Sequence, residues 1–146
     1  MMKRIFKPFM MGTLFMLSLT SCGGKSAASM VDSLKNNGFD VYEATKAELA
    51  ITETGLNAGL LALGKIDNLD NGVKLVSTFK AGKGDTSGNH TAIIYEFSSN
   101  DQAKLVYETA QEAKESSAGS NIPEFILTGA CYVECSDEYT KGVLGF

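Results

Sequence analysis

Apolar residues recur along this chain with two periods, and the switches between them mark out its elements. Met30, Val31 and Leu34 share one helical face, which predicts a short helix over residues 29–37. Ser29 supplies its N-cap, and Gly38 suits a left-handed stop. Residues 39–44 then alternate, with Phe39 and Val41 opposite Tyr42, and read as a strand. Thr45-Lys46-Ala47-Glu48 is a capping box. The helix it opens carries Leu49, Leu56, Leu60 and Leu63, interrupted by Gly55 and Gly59. Each glycine costs a helix interior roughly 1 kcal/mol relative to alanine, so this helix is expected to break near Thr54.

A second strand follows over residues 73–80, with Val73, Leu75, Ser77 and Phe79 opposite Lys74, Val76, Thr78 and Lys80. Residues 81–89, rich in glycine, read as a loop, and residues 91–97 as the next strand, giving an antiparallel hairpin. Ser99-Asn100-Asp101-Gln102 is another capping box. Behind it Ala103, Val106, Tyr107, Ala110 and Ala113 form a stripe at helical spacing. Pro123 marks a strand entry. Residues 125–135 read as a hairpin or one strand bent at Gly129, and residues 136–146 as a helical turn followed by apolar Val143, Leu144 and Phe146.

The resulting order is a short helix, then strand, helix, strand, strand, helix and strand. It predicts an α+β domain, a ferredoxin-like β-α-β-β-α-β sandwich with helices on one sheet face. The alternative is an irregular α+β domain built on a larger antiparallel sheet.

The first residues change the picture from fold to location. Lys3, Arg4 and Lys7 precede an apolar run over residues 9–19, too short for a bilayer core that needs roughly 20 apolar residues. The run ends in Leu19-Thr20-Ser21-Cys22, which resembles the lipobox of bacterial lipoprotein precursors. The resemblance covers residues 1–22 and implies that residues 1–21 are a cleaved signal. Cys22 would carry a diacylglyceryl group, residues 22–29 would be a lipidated, flexible tether, and residues 30–146 a single globular domain. Two acyl chains on one residue meet the requirement for stable anchoring, because one chain alone binds only marginally. The implied place is the outer face of a plasma membrane, or the outer membrane of a two-membrane bacterium.

Three of the thirteen Lys and Arg precede Cys22 and all seventeen Asp and Glu follow it, so the remaining residues carry ten cations against seventeen anions, or −7. That balance disfavours nucleic acid as a partner and agrees with a soluble surface.

Few residue patterns point to chemistry. Residues 81–88 contain three glycines and Lys83, but the lysine stands between the first two and a strand follows, so the register of a phosphate loop fails. His90 is the sole histidine and reads as a solvent-facing loop residue; Asp85, Ser87 and Cys131 are the groups whose approach would alter that. Cys131 and Cys135 stand four apart, about 13 Å along a regular strand, whereas a disulfide needs Cα atoms within about 7 Å. They read as buried free thiols unless the chain turns between them. Glu108, Glu112 and Glu115 with Lys104 and Lys114 form a solvated helix face, and the five tyrosines show no clustering along the chain. No catalytic, cofactor-binding or metal-ligating set is expected. The sequence therefore points to a lipid-anchored envelope protein with a non-enzymatic binding or structural domain. The competing readings are an exported enzyme with a site assembled only in three dimensions, and an interaction subunit of an envelope assembly.

Overall fold

Both capping boxes direct helices where their residues require. Thr45 Oγ1 accepts from Glu48 N at the start of α2 (Lys46–Ala62), and Ser99 Oγ accepts from Gln102 N at the start of α3 (Asn100–Glu115). The first helix, α1 (Ala27–Asn36), is capped by Ser26 rather than Ser29, and Gly38 takes the left-handed φ of 85° that ends it. The computed structural model describes residues 24–86, 88–117 and 122–146. Cys22 lies outside the described residues. Residues 24–29, expected as tether, belong to the fold: Lys25 N donates to Thr128 Oγ1 at 2.7 Å, and the helix begins at Ala27.

The strands are β1 (Asp40–Glu43), β2 (Leu75–Asp85), β3 (Gly88–Phe97), β4 (Glu124–Thr128) and β5 (Cys131–Cys135), and a short α4 (Glu138–Val143) follows. They form one antiparallel sheet in the order β1-β2-β3-β5-β4. The α+β class and the leading helix are as the sequence predicts. The neighbour order is not that of a ferredoxin-like sandwich, and the larger antiparallel sheet is the arrangement found. Its physical reason lies in Asn57, whose side chain donates to Val73 O at 3.1 Å and accepts from Val73 N at 2.7 Å. Glu53 accepts from Leu75 N in the same way. These bonds return the chain beside the end of β1, so β1 and β2 pair directly instead of leaving a strand's width between them. Gly72 permits it, because a Cβ there would stand 2.2 Å from Asn57 Oδ1.

Helices cover both sheet faces, not one. α1 and α4 cover a core of Met30, Leu34, Ile94, Val133 and Leu144, all nearly solvent-free. α2 and α3 cover the other face, around Leu60, Val73, Phe97, Ala103 and Val106. α2 does not break at Thr54: packing at Asn57 and Leu60 offsets the cost of its glycines. A bulge between Leu75 and Ser77 reverses the expected alternation, turning Val76 to solvent and putting Phe79 with the α1 core and Thr78 on the α2 side. Most of the expected glycine loop is strand, with Gly82 opposite Thr91 and Gly84 opposite Asn89.

Candidate functional site

The tyrosines scattered in sequence meet across the sheet. Register places Thr78, Tyr95, Tyr132 and Leu127 in one row on the α2–α3 face. The Tyr95 and Tyr132 rings stack at 5.5 Å, and Phe125 tilts against Tyr132 at 5.7 Å. Two positions along β5, on the same face, stands Glu134, whose Oε2 accepts from the Tyr132 hydroxyl at 2.7 Å. Glu134 Oε1 and the Tyr95 hydroxyl make no hydrogen bond among the described residues.

Of these groups, Tyr95, Tyr132 and Glu134 floor a groove of about 250 Å³ between α2 and α3. One wall is Gly55, Leu56, Gly59, Leu60 and Leu63; the other is Val106, Thr109, Ala110 and Ala113. The groove exists because the walls carry small residues where helices would otherwise meet. A Cβ added at Gly55 or Gly59 would touch nothing within 4 Å. A bridge spans the gap, Lys65 Nζ to Glu112 Oε1 at 2.6 Å, and such an exposed pair is worth about 0–1 kcal/mol, too little to lock the walls together. A second hollow of about 400 Å³ continues toward the sheet end past Ile93, Pro123, Thr91 and Ser136, and Glu134 lines both.

Burial, followed by the Glu134 charge, pushes the Tyr95 phenol up to about 12. Burial raises Tyr132 too, reinforced by its bond to Glu134. Both phenols are neutral donors near pH 7. The floor thus offers a phenol O–H, a carboxylate oxygen and aromatic faces, framed by aliphatic walls. That suits an apolar or aromatic body bearing a hydrogen-bond donor.

A second cluster lies at the far end of the sheet, on the α1–α4 side. His90 is not solvent-facing but 6% exposed. Its Nδ1 stands 2.7 Å from Asp137 Oδ2 and its Nε2 3.2 Å from Asp85 Oδ2, with the Tyr139 ring 4.6 Å away. The sequence signal was invisible because Asp137 is 47 residues away. The Asp137 bond, chiefly, raises the His90 pKa against the opposing effect of burial, and Asp85 adds to it. For Asp137 desolvation is the largest single influence and acts upward, but two bonds from Thr140 and the His90 contact outweigh it and hold the carboxyl at about 2. The imidazole stands between two carboxylates, and both favour its charged form. It ties the β2–β3 hairpin to the start of α4.

Of the groups considered for His90, Asp85 reaches it, Ser87 lies outside the described residues, and Cys131 sits at the opposite end of the sheet beside Glu96. Lys83 is in a strand, bonded to Asn37 O and Tyr139 Oη, which is no phosphate cradle. Cys131 and Cys135 are buried free thiols on the α1 side of one regular strand. Burial, chiefly, pushes them up to about 12 and about 11. At neutral pH neither forms the thiolate that would react.

Among the described residues no group of three or more His, Cys, Asp and Glu could hold a metal ion, and no helix is long and apolar enough to cross a membrane. No protein family, curated protein or solved structure matches this chain.

Proposed function

We propose that this chain is a lipid-anchored cell-envelope protein whose domain is a non-enzymatic binding module for a small amphiphile, held between α2 and α3. The observation that carries the binding reading is the groove floor: a Tyr95 hydroxyl and a Glu134 oxygen with no hydrogen-bond partner among the described residues, at the bottom of an apolar cleft. A ligand fits this chemistry when its apolar or aromatic part lies along Leu56, Leu60 and Val106 and its amine or hydroxyl meets Glu134. The anchor rests on the lipobox resemblance at Cys22. The His90 cluster supports a structural role, because both ring nitrogens face carboxylates, one on β2 and one at the start of α4.

Two measurements test the two halves separately. Cells fed a fatty-acid analogue should label the wild-type chain and not Cys22→Ala; labelling unaffected by the substitution would remove the anchor. Titration with 1-aminoanthracene, an aromatic amine that brightens in apolar surroundings, should show saturable binding. Replacing Glu134 by Gln keeps the shape and removes the charge, weakening a charge-assisted bond by about 1–2 kcal/mol, or roughly five- to thirtyfold in affinity. Equal binding by Glu134→Gln would remove the carboxylate from the site.

A further inference from the structure

The described part of the chain begins at Gly24, and that entry point is tightly built. Gly24 lies so close to the β4–β5 turn that a Cβ on it would stand 2.3 Å from Gly129 N. Only glycine allows that approach. Gly129 itself has a φ of 56°, as a two-residue hairpin turn requires. Lys25 N is fixed on Thr128 Oγ1, and Ser26 caps α1 directly afterwards. No slack is left between the entry point and the fold.

We infer that the domain stands on the membrane through the face formed by Gly24, Lys25, Gly129 and Phe146, with the β2–β3 hairpin pointing away. This rests on the proposed lipid attachment at Cys22. Two residues of chain span at most about 7 Å, and the headgroup layer on one side of a bilayer is about 5–7 Å deep. Acyl chains on Cys22 therefore bring the β4–β5 turn into contact with headgroups. A seven-residue coil with a typical reach of about 15 Å would have let the domain hover and rotate.

The surface at that end suits the role. Lys25 Nζ lies 5.6 Å from the Phe146 ring centre, and Phe146 is 43% exposed. An aromatic ring beside a long cationic side chain matches the boundary between headgroups and hydrocarbon. The turn itself, Gly129 and Ala130, carries no carboxylate, and that of Glu96 beside it accepts from Ser77 Oγ. The carboxylates of Asp85 and Asp137 are at the other end, where β3 runs on to Gly88. The eight strand steps from Glu96, beside the turn, to Gly88 place the hairpin tip about 27 Å farther out.

Tryptophan is absent from the chain, so a single introduced one reports depth. Phe146→Trp and Thr86→Trp replace exposed residues at the two ends. The protein is extracted from membranes, its Cys22 lipid checked by mass spectrometry, and reconstituted in phosphatidylglycerol–phosphatidylcholine vesicles with brominated acyl chains. Emission from Phe146→Trp should shift to the blue and be quenched, and that from Thr86→Trp should remain as in buffer. Equal quenching at both ends, stronger quenching of Thr86→Trp, or none at either would overturn the footprint. If mass spectrometry finds no lipid, the attachment reading alone has failed. Coupling Cys22 to a maleimide-bearing lipid then tests the footprint by the same two signals.

Discussion

The α1–α4 layer and the α2–α3 layer cover the two faces of one sheet to different degrees. Under α1 and α4 the contacts are closed: Leu34, Ile94 and Val133 are each 0% exposed, and two thiols are sealed among them. Under α2 and α3 the packing stops short, leaving Leu56, Tyr95 and Ala110 only partly buried around an open groove. The closed side carries stability, and the open side is where the proposed recognition would take place. A domain of this size needs one well-packed face before it can leave aromatic surface uncovered on another.

Truncation should expose the difference most strongly. Leu34→Ala removes a fully enclosed side chain and should cost about 2–5 kcal/mol in urea unfolding. Leu56→Ala, at the groove edge, should cost less than half of that, since water already reaches the site. Equal losses would mean that the two faces are packed alike.

A smaller effect separates the faces by pH. The His90 clamp lies on the α1–α4 side, and its raised pKa gives stability that is full below about 6.5 and lost as pH rises through the raised value. The depressed Asp137 works in the other direction: its contribution is present above the ordinary carboxylate range and lost as pH falls toward about 2. Between those limits both act together. Urea midpoints should therefore fall in the wild type as pH rises from about 6.5 through the raised His90 value, and stay lower but flat over that rise in His90→Ala. A parallel fall in the variant would assign the pH dependence elsewhere.

The smallest effect has the opposite sign. Gly59 is helical, at a negative φ, with nothing near a new Cβ, so Gly59→Ala should raise stability by up to about 1 kcal/mol. A loss would show that α2 lies closer to α3 than the groove allows.

Local chemistry was legible in the sequence, and long-range pairing was not. The boxes at Thr45 and Ser99, the stop at Gly38 and the α3 stripe each involve residues within a few positions, so their physics can be read without a fold. That Cys131 and Cys135 are not bonded to each other followed from strand spacing alone. What escaped depends on partners far along the chain. Asn57 gripping Val73 sets the sheet order, one bulge at Val76 exchanges the faces of β2, and Asp137 turns a loop histidine into a clamp. The groove floor lay between these extremes. Tyr132 and Glu134 share a face by parity, but only the register of β3 against β5 puts Tyr95 beside them.

The central claim is that the open face binds and the closed face does not. Gly59→Phe projects a ring into the groove from a position with free space and leaves the α1–α4 side untouched. Titrated with 1-aminoanthracene, this variant should lose the saturable fluorescence rise while its urea midpoint stays at or above that of the wild type. Undiminished binding in a stably folded Gly59→Phe protein would contradict the claim, and would place the ligand somewhere other than between α2 and α3.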